Sequence, residues 1–186
     1  APLTTIKKES FRNQDNLLHI YLPKSLNFIG LNAFAYCNNL EEVYINSETL
    51  EIEMTYGKFN PFDHCSKIVK FVGPLASSDG RCLISDNTLY CLALDGLAEY
   101  SIPQGIKEIA GDACVNKEIE KIFFSEGLEM IGMDAFANCR NLKEITFPST
   151  LKNLASYAFR GCTSIEGFYG NEKFHTSDNR CLIAYM

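Results

Sequence analysis

A ten-residue pattern recurs along this chain at a fixed interval. Residues 138–147 (Asn-Cys-Arg-Asn-Leu-Lys-Glu-Ile-Thr-Phe) return 23 positions later as residues 161–170 (Gly-Cys-Thr-Ser-Ile-Glu-Gly-Phe-Tyr-Gly). The same pattern stands near the start as residues 36–45 (Tyr-Cys-Asn-Asn-Leu-Glu-Glu-Val-Tyr-Ile). A period of this size means stacked supersecondary units, each of which buries its apolar side only against its neighbours. Such stacks present surfaces more readily than enclosed catalytic pockets, so the period narrows function as well as architecture.

Aligned, the units read Leu-x-x-Ile-x-hydrophobic-Pro-x-x-Leu-x-x-Ile-Gly-x-x-Ala-Phe-x-x-Cys-x-x-Leu. Leu17, Ile20, Leu22, Pro23, Leu26, Ile29, Gly30, Ala33, Phe34 and Cys37 fill these places in the first full unit. Two later units begin at Ile119 and Leu142, and residues 3–17 match residues 26–40 with Gln14 in the Cys place. The alternation at the opening predicts a short strand with one face inward. Pro, which lacks a donor N–H, should end its pairing. Leu-x-x-Ile-Gly predicts a second short extended piece with a tight corner. Ala-Phe-x-x-Cys is too short for a standing helix and predicts one helical or 3₁₀ turn, whose Phe plugs the space between coils.

Composition removes several classes of function. At 46% hydrophobic and 22% charged, the chain can build a core. A net charge of −6 without a basic face argues against nucleic acid as a partner. No apolar run has the length to span a bilayer, and no signal peptide opens the chain. Ala1 in the initiator position points to a removed leader or an excised segment. Of the eight cysteines, Cys37, Cys65, Cys139 and Cys162 each follow Phe34, Phe62, Phe136 and Phe159 by three residues. One slot per coil is the mark of a buried small apolar residue, which favours free thiols over cross-coil disulfides.

Two stretches depart from the period. The unit over residues 46–67 is longer than its neighbours. An insert near residues 78–94 carries Asp86-Asn87 between extended runs, a hairpin signal. A two-residue loop would pair Ser85 with Thr88, Ile84 with Leu89, Leu83 with Tyr90 and Cys82 with Cys91 in a close, non-hydrogen-bonded pair. That register allows either a Cys82–Cys91 disulfide or two packed thiols, with the thiols favoured. Residues 177–183 repeat the start of the insert, so residues 177–186 read as a partial second copy. The expectation is one domain over residues 1–186, about seven coils, incomplete at both ends.

The consensus, together with residues 77–84 (Ser-Ser-Asp-Gly-Arg-Cys-Leu-Ile) and 100–106 (Tyr-Ser-Ile-Pro-Gln-Gly-Ile), resembles the BspA-like, or Treponema-type, leucine-rich repeat of surface proteins from anaerobic gut and oral bacteria. The resemblance covers nearly the whole chain. It implies an α/β, β-rich solenoid: a right-handed coil with a parallel sheet along one side and an inserted hairpin. It further implies a secreted or cell-surface protein of adhesion or protein binding, with no catalytic residues to carry over. The expected partner is a protein, such as a host extracellular-matrix or bacterial surface protein. A structural spacer array and a glycan-binding surface protein are the alternatives. One unit departs: residues 113–119 put Cys114 where Phe belongs and are one residue short, which predicts a thinner coil.

The exposed fifth position of each strand reads Tyr21, Tyr44, Val72, Ser101, Phe123, Thr146 and Tyr169. Coils stacked about 4.8 Å apart would align these as a continuous, partly aromatic stripe. Tyr21, Tyr44, Val72, Phe123, Thr146 and Tyr169 are the candidate partner-binding residues, since aromatics offer large area with few rotors to freeze. The same residues also suit strands for packing reasons alone. Glu41, Glu42, Glu99, Glu120, Lys121, Lys143, Glu144 and Glu166 flank them as a solvated rim. Chemistry finds little support. His19 falls at an exposed strand position, His64 should point away from core Cys65, and His175 lies near the end. Asp79, Asp86 and Asp178 suit turns better than a calcium cage, and no cofactor motif occurs.

Overall fold

A computed structural model describes residues 1–53, 59–94 and 96–174. The chain winds as a solenoid whose coils lay short parallel strands along two sides, a leading side and a return side, each divided into two sheets. Leading strands β2 (His19–Leu22), β4 (Glu42–Ile45) and β6 (Lys70–Val72) form one sheet in the order β2-β4-β6. Strands β9 (Glu99–Ser101), β11 (Lys121–Phe123), β13 (Glu144–Thr146) and β15 (Gly167–Tyr169) form its counterpart in the C-terminal half. Return strands β1 (Thr5–Ile6), β3 (Phe28–Ile29) and β5 (Glu51–Ile52) line the other side of the N-terminal half. Return strands β10 (Glu108–Ile109), β12 (Met130–Ile131) and β14 (Asn153–Leu154) do so in the C-terminal half.

Each leading strand alternates as its sequence predicts. His19 and Tyr21 are exposed while Ile20 and Leu22 are buried, and β2 ends at Pro23. The corner after each return strand needs glycine because neighbouring coils touch there. A Cβ on Gly30 would collide with Lys8 N, and one on Gly132 would lie 2.6 Å from Gly111 N. Where successive turns both carry the Phe, the rings stack: Phe11–Phe34 at 5.2 Å, Phe34–Phe62 at 5.2 Å and Phe136–Phe159 at 5.3 Å between centroids.

The turn itself differs from expectation. No helix occurs among the described residues. In most turns two residues four apart adopt left-handed φ, as at Glu9 and Asn13, Asn32 and Tyr36, Asp112 and Asn116, and Asp134 and Asn138, whereas the Phe62 turn has His64 alone. A left-handed residue at both ends of a three-residue stretch breaks any helix. The backbone donors divide instead between local and neighbouring partners. Ala33 and Ala35 donate to Gly30 and Asn32 of their own turn, whereas Phe34 and Tyr36 donate to Pro61 and Asp63 of the next coil. The turns are thereby cross-linked like the strands. Asn and Asp tolerate this conformation best, and they fill half of these positions named above or more.

The insert is the joint between the two halves. Strands β7 (Cys82–Ser85) and β8 (Thr88–Leu92) form an antiparallel hairpin, and Asp86 and Asn87 turn at φ 48° and 58° as a two-residue primed turn requires. Strand β8 pairs with β10, which places the hairpin at the end of the C-terminal return sheet. All five residues of β8 are buried. Leu89 and Leu92 pack into the C-terminal core, whereas Leu83, Tyr90 and Cys91 pack into the N-terminal core. A bulge breaks the expected register beyond Ile84–Leu89: Leu83 pairs with Cys91 and Cys82 with Leu92. The extra residue sends both Tyr90 and Cys91 toward the N-terminal half, which separates Cys91 from Cys82. Both are free thiols, so the Cys82–Cys91 pairing is corrected.

Candidate interaction surface

The fifth-position residues stand in register on the two leading sheets. Tyr21 pairs with Tyr44, and Tyr44 with Val72. Ser101 pairs with Phe123, Phe123 with Thr146, and Thr146 with Tyr169. The stripe is not continuous, however. Strands β6 and β9 do not pair, so Val72 and Ser101 belong to different sheets.

A loop of the insert fills that break. Phe71 donates its N–H to Gly80 O at 2.7 Å. The Asp79 carboxylate accepts from the Ser77 hydroxyl at 2.5 Å and from the Arg81 N–H at 3.0 Å, and Ser77 Oγ in turn accepts from Cys82 N–H at 2.9 Å. Below the loop, Tyr100 takes the place held in later coils by Ile122, Ile145 and Phe168. Its hydroxyl donates to Asp79 Oδ2 at 2.9 Å and lies 3.2 Å from Cys82 Sγ. Burial and the Cys82 contact push the Tyr100 hydroxyl well above its ordinary range. Asp79 is therefore a turn residue, and so is Asp86. Asp178 and residues 177–186 lie outside the described residues.

The two faces differ in chemistry. On the N-terminal face Tyr21, 69% exposed, stacks on Tyr44 with centroids 4.5 Å apart and planes 15° from parallel. Tyr44 donates its hydroxyl to Glu42 Oε2 at 2.7 Å, and that bond pushes its pKa up to about 12. His19 Nδ1 lies 3.5 Å from the same carboxylate oxygen. Leu18, which precedes His19 in the chain, is exposed. On the C-terminal face Phe123 is 48% exposed and Tyr169 36% exposed, and the Tyr169 ring lies over Gly167. Lys121 bridges Glu99 at 2.8 Å and Lys143 bridges Glu120 at 2.6 Å. Exposed pairs such as these add little to stability, and their effect is to fix the charge pattern.

The thiols are interior groups with partners. Cys37, Cys65 and Cys162 donate to the carbonyl oxygens of Phe11, Phe34 and Phe136 in the preceding coil, at 3.0–3.1 Å. Cys139 does the same to Cys114 O, the residue in the Phe place of its neighbour. The adjacent Cys37 thiol and burial push Cys65 far above the ordinary thiol range. His64 does not reach Cys65: its ring stacks on Tyr36 at 4.4 Å and its Nδ1 faces Asp63 Oδ1 at 2.7 Å. His175 lies outside the described residues. Among the described residues no group of three or more His, Cys, Asp or Glu side chains is placed to hold a metal, and no helix is long and apolar enough to cross a membrane.

The sequence matches the model of the BspA type leucine-rich repeat region in six copies over residues 1–77 and 84–184. The interruption falls on the Asp79 loop and the start of β7. No curated protein sequence matches at a significant level. The fold is similar to a leucine-rich repeat protein from Eubacterium ventriosum, with TM-score 0.65 and 19% identity over 88% of this chain and 44% of that one. It is also similar to the pneumococcal vaccine antigen PcpA, with TM-score 0.55 and 20% identity over 95% of this chain and 56% of that one. The chain thus spans about half the length of these structures. From the repeat register, the two-sided solenoid and the family match together, this chain belongs to the BspA-type leucine-rich repeat family.

Proposed function

We propose that the chain is a non-enzymatic interaction module, carried outside the cell or on a bacterial cell surface, that binds a protein through its leading-strand faces. The observation that carries this reading is the Tyr21–Tyr44 stack. Two rings are held face to face on a rigid sheet, with Val72 in register beside them and one ring largely exposed. A stacked pair has lost its rotamer freedom before any partner arrives, so its contact area is available at low entropic cost. Phe123 and Tyr169 give the C-terminal face a second, smaller anchor inside a fixed charge pattern.

The expected partner is a host extracellular-matrix or bacterial surface protein. The test is capture of a panel of such proteins by the immobilised chain, compared with a variant carrying Tyr21→Ser, Tyr44→Ser, Phe123→Ser and Tyr169→Ser whose circular dichroism is unchanged. Binding should weaken at least about tenfold, which is the loss of a single modest anchor. Undiminished capture by the variant would place the binding elsewhere. A wild-type chain that captures none of the panel would leave the repeats as a spacer.

A further inference from the structure

On the turn edge the two halves meet along a polar seam. Asn60 donates its N–H to Gly111 O at 3.0 Å. Its side-chain Nδ2 donates to Asp112 O at 3.1 Å and to Cys91 Sγ at 3.3 Å. Lys117, which is buried in the Cys place of its own coil, reaches across to Ser66 O at 3.3 Å. Between these bonds lies a crevice of about 10 Å³, lined by Asn60, His64, Asp112 and Lys117 among others. That is room for about one water.

Three carboxylates of successive coils converge here. Asp63 is 8% exposed, and its Oδ1 faces His64 Nδ1 at 2.7 Å; both atoms are buried and neither has another hydrogen-bond partner. Asp112 is half-buried at the crevice, in left-handed φ of 57°. Asp134 accepts from Arg160 Nε at 2.9 Å. The side chains that could offset a charge on Asp112 have other partners: Arg160 holds Asp134, Lys117 a carbonyl, and His64 faces Asp63. An ionised Asp112 adds a third negative charge to a seam with little water to screen it.

We propose that this seam is a proton-operated latch: Asp112 takes up a proton in mildly acidic solution and fastens the two halves, and loses it toward neutral pH and loosens them. Burial first, and then the Asp63 and Asp134 charges, push Asp112 up to about 7, against the opposing pull of His64 and Arg160. The folded value lies above the ordinary carboxylate value. The closed seam therefore holds a proton that the opened seam has released, throughout the window between the two. Stability of the seam is full below that window, falls as pH rises through it, and is level above about 7. Each unit of elevation is worth about a factor of ten in the opening equilibrium.

The test is native-state hydrogen exchange read by mass spectrometry at pH 5 and pH 7, corrected for intrinsic rates. Opening of peptides over residues 59–66 and 111–117 should rise at least about tenfold from pH 5 to pH 7, with no matching change on the leading sheets. Asp112→Asn, isosteric and tolerant of left-handed φ, should show the same protection at both values, no lower than that of the wild type at pH 5. Glu144→Gln on the leading face should behave as wild type. A carboxyl-carbon NMR titration of the wild-type chain gives the same answer without a variant. A midpoint for Asp112 near the ordinary carboxylate value, or pH-independent protection of the seam, overturns the proposal.

Discussion

Replacing Phe136 by Ala removes the ring at the centre of the C-terminal core. Phe136 has no exposed surface, stacks on Phe159 at 5.3 Å, and meets the edge of Phe124 at 5.7 Å. On its other side stands buried Cys114 where other coils have a ring. The coils cannot close over the gap, because their spacing is set by bonds such as Cys114 N–H to Ala135 O at 2.7 Å and Phe136 N–H to Ala158 O at 2.8 Å. The cavity should therefore keep most of its volume, and the cost should be about 3–5 kcal/mol. Phe159→Ala, at a half-buried position, should cost roughly half as much. Urea unfolding combined with hydrogen exchange is the assay, since a stacked array need not unfold in one step. The loss should fall on residues 99–174, whose core is separate from that of the N-terminal half. A loss under about 1 kcal/mol, or an equal loss in both halves, would refute the reasoning.

Three further outcomes follow from the packing. Gly132→Ala would set its Cβ 2.6 Å from Gly111 N and 2.8 Å from Ala110 C, so two backbones must part; we expect a loss of about 1–3 kcal/mol in urea melts, and an unchanged midpoint would show that the coils are not in contact there. Tyr100→Phe strips the hydroxyl that ties Asp79 and Cys82 together; it should cost about 1–3 kcal/mol and raise exchange over residues 77–82 while leaving the outer coils alone. Intact mass should be the same before and after reduction, and Cys65, Cys82, Cys91 and Cys139 should resist alkylation until denaturant is added; a mass two protons lighter before reduction would reveal a disulfide.

Much of the fold was legible because one residue type fills one place in every coil. Ile20, Val43 and Phe71 point inward at the same step, and Pro23 ends its strand for a reason visible in its own chemistry. The turn was misread as helical because Ala-Phe-x-x-Cys has good local helix spacing. The competing signal was Asn or Asp at both ends of the stretch, as in Asp112 with Asn116 and Asp134 with Asn138, which marks left-handed corners. The bulge at Tyr90 left no mark in the alternation, since every residue of β8 is buried and apolar spacing says nothing about register there. The candidate surface residues were placed on exposed strand positions by periodicity. Their division into two groups was not, because it depends on the Asp79 loop and Tyr100, which act through single hydrogen bonds outside the repeat. Asn60 was missed for the same reason: its partners Gly111 and Asp112 lie about fifty residues away.

The insert is therefore more than an interruption of the array. A solenoid of identical coils carries one continuous face, and a partner can slide along it because every coil offers the same places. Here strand β8 gives one side to each core, and the Asp79 loop occupies the position where a leading strand would join β6 to β9. The surface is left as two bounded faces of different character. The N-terminal one carries Leu18, Tyr21, Tyr44 and Val72 around the Glu42 carboxylate, and the C-terminal one carries Phe123 and Tyr169 within the Glu99–Lys121 and Glu120–Lys143 pairs. A ligand that spans both must match the distance and angle set by the joint. Cutting the repeat thus gives the array a fixed register, which repetition alone cannot supply.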